Sequence, residues 1–254
     1  MQIQNNTFLV TGGASGLGEA TTRYLVAKGA NVIVADLNQD AGDQLATELG
    51  DSILFAKCDV TSEADVKTAI DNGIAKFGKL SGAINCAGIV VVQKLIDKEG
   101  NPADLATFTR GINVNLIGSF NVARLAAAVM SKNNADNNID KGVIINTASI
   151  AAFDGQIGQA SYSASKAGVV GMMLPLAREL ARHQIRIMTI APGVFGTPMM
   201  ASLPEAARTN LEQSVPYPKR LGSPEEFAKL VAHIIENDYL NAEVIRLDGA
   251  IRMS

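Results

Sequence analysis

Three side chains near the middle of the chain have the types and spacing needed for acid–base chemistry. Ser149 precedes Tyr162 by thirteen positions, and Lys166 follows the tyrosine by four. On a helix, a spacing of four puts the phenol and the ammonium on one face, where the lysine charge lowers the tyrosine pKa from roughly 10 towards neutrality. The pattern predicts a general acid/base acting on an alcohol or ketone oxygen that Ser149 holds. The alternative is an ordinary helix-surface pair.

A glycine-rich turn near the start of the chain predicts a phosphate-binding site. Residues 7–10 read as a short apolar strand and residues 19–28 as a helix. The turn between them contains Gly12, Ser15, Gly16, Leu17 and Gly18. At such a junction the backbone N–H groups and the helix dipole bind a pyrophosphate. The glycine spacing differs from the commoner Gly-x-Gly-x-x-Gly, and tight strand-to-helix turns without a ligand also use glycine.

An acidic residue at the end of the next predicted strand indicates which dinucleotide the turn would bind. Asp36 follows residues 31–35, which read as a strand, and stands eighteen residues after Gly18. A carboxylate at this place accepts hydrogen bonds from the adenosine ribose hydroxyls and repels a 2′-phosphate, so the sequence favours NAD over NADP. The alternative role of Asp36 is the N-cap of the following helix.

Composition excludes several other classes of function. The chain has 254 residues, is 47% hydrophobic and carries a net charge of −3, so it lacks the basic surface expected for nucleic acid or an anionic membrane. Glycine or proline interrupts every uncharged apolar stretch of transmembrane length, and the first residues resemble neither a signal nor a transit peptide, so a cytoplasmic protein is expected. Cys58 and Cys86 lack ligand-like neighbours, which predicts buried thiols and no metal site.

Strands and helices alternate along the whole chain. Strands are predicted at residues 7–10, 31–35, 53–56, 82–85, 143–147, 186–190 and 243–247, and helices at 19–28, 63–77, 112–130, 161–182 and 224–236. This order predicts an α/β protein with a single-domain Rossmann fold over residues 1–254, built on a doubly wound seven-stranded parallel sheet with helices on both faces. Two segments interrupt the alternation, a polar insertion at about residues 90–109 and a proline-rich segment at about 193–218.

The motifs, in this order, resemble the short-chain dehydrogenase/reductase family across essentially the whole chain. They are Thr11-Gly12-x-x-x-Gly16-x-Gly18, Asn85-Cys86-Ala87-Gly88, Asn115, Ser149, Tyr162-x-x-x-Lys166 and Pro192-Gly193. Residues 142–159, 190–198 and 244–253, together with the insertion, are similar to the type 2 3-hydroxyacyl-CoA dehydrogenases, a subfamily also known as 17β-hydroxysteroid dehydrogenases type ten.

The resemblance implies a role for each motif residue in an enzyme that uses NAD. Tyr162 would transfer the proton, Ser149 would orient the substrate oxygen, and Lys166 would lower the tyrosine pKa while holding the nicotinamide ribose. Asn115 would distort its helix and fix a water that links Lys166 to solvent, unless it is a helix-surface amide. The other cofactor contacts would be Asp59 and Val60 at the adenine, Asn85, Ala87 and Gly88 beside the cofactor, and Pro192, Gly193 and Thr197 at the carboxamide. Asp59 has the alternative role of a helix cap.

Substrate contacts are expected from two loops and from the insertion. Gln156 and Gln159 would face the substrate, although loop amides are often structural. Residues 193–218 are predicted to form a lid, with Met199 and Leu203 among its apolar residues; the alternative is a helix that packs on the core. Lys94 and Lys98 could contact coenzyme A phosphates or belong to a solvated charged loop.

Three functions follow from the sequence. The first is an NAD-dependent enzyme that interconverts 3-hydroxyacyl-CoA and 3-oxoacyl-CoA with a Ser-Tyr-Lys-Asn site, and the second is a general alcohol, hydroxysteroid or 3-oxoacyl thioester oxidoreductase. A non-catalytic nucleotide-binding scaffold is the remote third. Because the family forms tetramers through its long helices, the resemblance also implies a homotetramer, and residues 126–128, three alanines, suit close helix packing.

Overall fold

Seven parallel strands form one sheet in the order β3-β2-β1-β4-β5-β6-β7. The computed structural model describes residues 1–134, 140–201 and 205–253. The strands are β1 (Thr7–Thr11), β2 (Asn31–Asp36), β3 (Ile53–Lys57), β4 (Gly82–Asn85), β5 (Gly142–Thr147), β6 (Ile185–Pro192) and β7 (Val244–Leu247). The strand order reverses between β1 and β4, and the cleft at that point is where such sheets bind ligands. The prediction of a single doubly wound domain is confirmed.

Helices cover both faces of the sheet. In chain order they are α1 (Gly16–Ala27), α2 (Gln39–Leu49), α3 (Glu63–Phe77), α4 (Leu105–Ile112), α5 (Gly118–Met130), α6 (Ala160–Ala181), α7 (Pro198–Ala201), α8 (Glu205–Gln213) and α9 (Pro224–Glu236). Apolar residues of α1, α2 and α9 pack on one face, and those of α3, α5 and α6 pack on the other. Because both faces are covered, the central strands are buried throughout their length.

Local capping residues determine where two of the predicted helices begin. Ser62 accepts a hydrogen bond from the N–H of Asp65 at the start of α3. At α9, Ser223 and Glu226 form a reciprocal capping box, with Pro224 at the first helical position. The predicted bounds of both helices, residues 63–77 and 224–236, are confirmed.

A long helical segment is interrupted by a wider turn at Asn115. Between α4 and α5, residues Asn113–Ile117 form a π-helix, in which each turn holds one residue more than in an α-helix. The predicted start of this helix at residue 112 was wrong, since α4 begins at Leu105, where the Asp104 carboxylate accepts from two backbone N–H groups. The insertion is therefore shorter than expected, because its last residues are helical.

By length and composition alone, Leu105–Met130 could cross a membrane. In this fold 39% of the apolar window is buried inside the protein. Val122, Ala126 and Met130 are fully buried against the sheet. Packing on the sheet therefore explains the buried apolar residues of the segment, whereas Leu105, Phe108, Ile117 and Phe120 remain exposed.

Candidate active site

The catalytic helix α6 carries Tyr162 into contact with Ser149. A hydrogen bond joins the two side chains, and Ser149 Oγ also accepts from the N–H of Ala151 at 3.1 Å. Burial raises the pKa of Tyr162 above its ordinary value, and the hydrogen bond with Ser149 acts in the opposite direction with a smaller effect. The phenol is therefore protonated at neutral pH, which is the state that a proton donor to a ketone oxygen needs.

Lys166 lies on the same side of α6 as Tyr162, as the spacing predicted. Its Nζ is 5.8 Å from the centroid of the tyrosine ring and donates a 2.8 Å hydrogen bond to the carbonyl oxygen of Thr147. Burial lowers the pKa of Lys166 to about 8. The effects that shift the tyrosine pKa are burial and Ser149, so the expected lowering of that pKa by the lysine is not present in this state of the site.

Asn115 is fully buried, so its alternative role as a helix-surface amide is wrong. Its Oδ1 accepts from the N–H of Ile89 at 2.8 Å, and its Nδ2 donates to the carbonyl oxygen of Ile89 at 2.9 Å. A second Nδ2 hydrogen bond, 3.1 Å long, goes to Ser165 on α6. The predicted distortion of the helix at Asn115 is confirmed by the π-helix that surrounds it.

The glycine turn between β1 and α1 has no room for a side chain at Gly12 or Gly18. Gly12 has a φ of +61°, and a Cβ on it would lie 2.9 Å from the backbone nitrogen of Ala87. A Cβ on Gly18 would lie 2.0 Å from the carbonyl oxygen of Gly12. Glycine is therefore required at both positions for the strand and helix to approach this closely. The backbone of the turn, which includes Ser15, Gly16 and Leu17, is left open to a ligand in the way a pyrophosphate needs.

The Asp36 carboxylate joins the glycine turn to the end of β2. Its Oδ2 accepts from the N–H of Ala14 at 3.1 Å and its Oδ1 from the N–H of Asn38 at 3.0 Å. The N-cap of α2 is Asn38, whose side chain accepts from Ala41, so the alternative role of Asp36 as that N-cap is wrong. Sequence reasoning missed Lys57, which stands opposite Asp36 in the register of β2 and β3 and is exposed.

Three other predicted cofactor residues, Asp59, Val60 and Asn85, lie at or after the ends of β3 and β4. Asp59 Oδ1 accepts from the N–H and hydroxyl of Thr61, and because Ser62 caps α3, the alternative role of Asp59 as that cap is wrong. Val60 is buried. The Asn85 side chain is buried and donates to Asn146 Oδ1 at 2.8 Å, so it links β4 to β5.

The two residues Ala87 and Gly88 pack against the glycine turn and the catalytic helix. The N–H of Ala87 donates to Thr11 Oγ1 at 3.2 Å. A Cβ on Gly88 would lie 3.1 Å from Asn115 Oδ1 and 3.5 Å from Lys166 Nζ, so Gly88 packs close to both side chains.

The segment after β6 approaches the glycine turn from the opposite side. β6 ends at Pro192, and a Cβ on Gly193 would lie 2.9 Å from the Cα of Asp248. A Cβ on Gly16 would lie 3.5 Å from Thr197 Cβ. The predicted lid therefore begins directly over the predicted pyrophosphate turn. It then forms α7 and α8, but Leu203 and the side chain of Met199 lie outside the described residues.

The two predicted substrate glutamines lie beside the insertion. Gln159 Oε1 accepts from the N–H of Gln156 at 3.0 Å, so Gln159 shapes its own loop. The N–H of Gln93, in the insertion, donates to the carbonyl oxygen of Gly158 at 2.8 Å. Val92 and Ile157 are strongly exposed next to this contact and form an apolar rim. The insertion is thus held against the loop that carries both glutamines.

Comparison with known proteins places this geometry in a family. The family model described as short chain dehydrogenase matches residues 6–208. The chain belongs to the short-chain dehydrogenase family. A Drosophila melanogaster protein named 3-hydroxyacyl-CoA dehydrogenase type-2 is 55% identical over 252 residues, which covers 99% of each chain.

Solved structures of other short-chain dehydrogenases agree over the full length. A Mycobacterium avium 3-hydroxyacyl-CoA dehydrogenase type-2 superposes with a TM-score of 0.94 at 43% identity, covering 100% of this chain and 99% of that one. A Brucella melitensis 3-ketoacyl-(acyl-carrier-protein) reductase complexed with NADH has a TM-score of 0.86 at 27% identity, with coverage of 98% and 99%. The family and its NADH-bound relative support a nicotinamide cofactor for the glycine turn described above.

Two features of this short-chain dehydrogenase site could not be found from sequence motifs. Thr147 provides the carbonyl oxygen that holds Lys166, and Ser165 provides the partner for Asn115. The only sequence signal for Thr147 is its position at the end of β5, two residues before Ser149. For the described residues, no group of three or more His, Cys, Asp or Glu could hold a metal ion.

Proposed function

We propose that this chain is an NAD-dependent oxidoreductase that interconverts 3-hydroxyacyl-CoA and 3-oxoacyl-CoA. The observation that carries the proposal is the joint position of Ser149, Tyr162 and Lys166 beside the glycine turn, in a chain 55% identical over 99% of its length to a protein named for that activity. A non-catalytic scaffold would have no need for a buried phenol, a buried ammonium and an aligned serine at the cofactor cleft.

The side chains act on the substrate oxygen by proton transfer and hydrogen bonding. A bound nicotinamide supplies or accepts the hydride at the substrate carbon. In the reductive direction, Tyr162 donates its proton to the carbonyl oxygen while Ser149 donates a hydrogen bond to the same oxygen. The Lys166 ammonium then stabilises the phenolate that remains. In the oxidative direction the same groups act in reverse, with the phenolate as base.

Lys166 changes its role when a cofactor binds. In the structure described here its Nζ donates to the carbonyl oxygen of Thr147, and no carboxylate partner is involved. An ammonium has three N–H donors, so two remain for a ribose hydroxyl and for the phenolate. Asn115 and this ammonium both pack against Gly88, and Asn115 keeps the adjoining loop in place.

We further propose NAD as the cofactor and a homotetramer as the assembly. Asp36 supports NAD because its carboxylate stands at the start of α2 where the adenosine ribose would lie. The tetramer is supported by exposed apolar residues along α4 and α5, namely Leu105, Phe108, Ile117 and Phe120. Light scattering at several protein concentrations measures the assembly, and a monomer at micromolar concentration would contradict it. A cytoplasmic location remains a proposal from the sequence.

A substrate panel tests the proposed activity. Purified protein is assayed with NADH against acetoacetyl-CoA, a 3-oxosteroid, a simple ketone and an acyl-carrier-protein thioester. The expected result is a kcat/KM for acetoacetyl-CoA at least about tenfold above each of the others, because the coenzyme A portion adds binding energy that small ketones lack. A higher kcat/KM for the steroid or the carrier-protein thioester would overturn the proposal and select one of the alternatives.

A further inference from the structure

Ser165 is a fully buried hydroxyl that connects two parts of the candidate active site. It donates a 2.7 Å hydrogen bond to the carbonyl oxygen of Tyr162, one turn earlier on α6. At the same time it accepts the 3.1 Å hydrogen bond from Asn115 Nδ2. One hydroxyl therefore touches the residue proposed to move the proton and the residue at the centre of the π-helix.

These hydrogen bonds fix the orientation of the Asn115 side-chain amide. Its Oδ1 and one Nδ2 hydrogen are bound to the backbone of Ile89, and its second Nδ2 hydrogen is bound to Ser165. Ile89 adjoins Gly88, which packs close to both Asn115 and Lys166. The loop after β4, the π-helix and the catalytic helix are thus joined by one chain of hydrogen bonds with Ser165 at its end.

We propose that Ser165 is a positioning residue for Tyr162 and Lys166 and that it acts through Asn115. The inference rests on the proposed roles of the tyrosine and the lysine. A serine suits the place because a hydroxyl is both a donor and an acceptor and is small enough for a site with no exposed surface. Removing the hydroxyl leaves an N–H of Asn115 buried without a partner, which favours any movement of the amide that restores a hydrogen bond.

The chain contains a matched control for this hydroxyl. Ser163 lies two residues earlier on α6, and its Oγ is buried without a hydrogen-bond partner among the described residues. Ser163→Ala removes the same atom from the same helix but breaks no hydrogen bond. Any difference between Ser163→Ala and Ser165→Ala therefore reports the hydrogen bonds of Ser165 and not the loss of a serine.

Steady-state kinetics and cofactor binding on the purified full chain test the proposal. Ser165→Ala should lower kcat at least about tenfold, while its NADH dissociation constant stays within about threefold of native. Ser163→Ala should keep both kcat and the NADH dissociation constant within about twofold of native. Equal kcat values for the two variants would overturn the proposal. So would a parallel loss of kcat, NADH affinity and thermal midpoint in Ser165→Ala, because that pattern indicates a role in folding alone.

Two further variants keep the test decisive if Ser165→Ala is poorly folded. Ser165→Cys keeps the volume with a weaker donor and acceptor, so a kcat between native and the alanine level is expected, and native kcat would overturn the proposal. In an Asn115→Ala background, Ser165→Ala should have little further effect on kcat, since its partner is already absent. Independent effects that multiply would show that Ser165 does not act through Asn115.

The failure of this inference can be told apart from the failure of the proposed function. The native chain alone decides which substrate is reduced. The Ser165 variants are compared with native as ratios on whichever ketone the native chain reduces best. A chain that prefers a steroid would therefore overturn the proposed substrate and still give a clear result for Ser165.

Discussion

Cofactor choice should depend on the charge of Asp36, and Asp36→Asn removes that charge at nearly constant size. The carboxylate accepts from the N–H of Ala14, so it lies beside the glycine turn that is proposed to bind the cofactor. A unit negative charge on the 2′-phosphate of NADPH about 4 Å away would be repelled by roughly 4 kcal/mol at an effective dielectric of 20. Half of this value is a preference for NADH of roughly 30-fold in kcat/KM.

The variant should lose most of that preference by two routes. NADH use falls roughly tenfold because the ribose loses charge-assisted hydrogen bonds, and NADPH use rises because the repulsion is gone. Lys57, which is exposed opposite Asp36 in the register of β2 and β3, then becomes the charge that favours the phosphate. Adding Lys57→Gln to Asp36→Asn should reduce NADPH use by at least about threefold.

The assay is kcat/KM for NADH and NADPH at one saturating ketone concentration. Asp40→Asn is the matched control, because Asp40 is an exposed acid in the first turn of α2 and its loss changes the net charge equally. The control should keep the native cofactor ratio within about twofold. The reasoning is refuted if the native chain uses both cofactors equally or if Asp36→Asn retains the native ratio, since Asp36 would then lie away from the ribose.

Three other changes have expected outcomes. Tyr162→Phe keeps the ring and removes the proton, so kcat should fall at least roughly 100-fold while NADH affinity, measured by fluorescence, is retained; near-native turnover would assign the proton to another group. Burial lowers the pKa of Lys166 from 10.5 to about 8. Between these pH values the unfolded chain therefore binds more protons than the folded one. The contribution of Lys166 to the free energy of unfolding then increases with pH by up to about 3 kcal/mol. In urea titrations from pH 8 to 10, the free energy of unfolding of the native protein should therefore rise relative to that of Lys166→Met. If the two free energies of unfolding changed with pH in parallel, the lowered pKa would be contradicted. Asp140→Asn removes the negative charge that lies 2.7 Å from the buried guanidinium of Arg186, and it should cost about 3 kcal/mol, or roughly 6–12 °C of thermal midpoint. Asp71→Asn at an exposed pair should cost under about 1 kcal/mol, and equal losses would mean that burial does not matter here.

The sequence predicted elements well where the signals are local. The bounds of α3 and α9 follow from Ser62, Ser223 and Pro224, whose effects act within one turn. The start of α4 had an equally local signal in its N-cap, Asp104. Because the residues before it are also polar, Asp104 was interpreted as part of the insertion and not as an N-cap. The π-helix could not be derived from periodicity, because one additional residue in a turn is stabilised by contacts between Asn115 and residues distant in the chain.

The candidate site shows the same division between local and distant effects. The spacing of Tyr162 and Lys166 fixed their common face, which is a property of any helix. The direction of each pKa shift depends on burial by the rest of the fold, so the expected lowering of the tyrosine pKa did not follow from spacing. The interior position of the Asn85 side chain also depends on its neighbour Asn146, which is 61 residues away in the chain.

The π-helix at residues Asn113–Ile117 has a geometric consequence for the helices on either side of it. One extra residue in a turn rotates everything before it by about 100° relative to everything after it. This phase change lets α4 turn towards α6, where a Cβ on Gly111 would lie 2.3 Å from Ser161 Oγ, while α5 turns towards the sheet. The number of residues in this segment, as much as their identity, therefore sets which way each half of the helix faces.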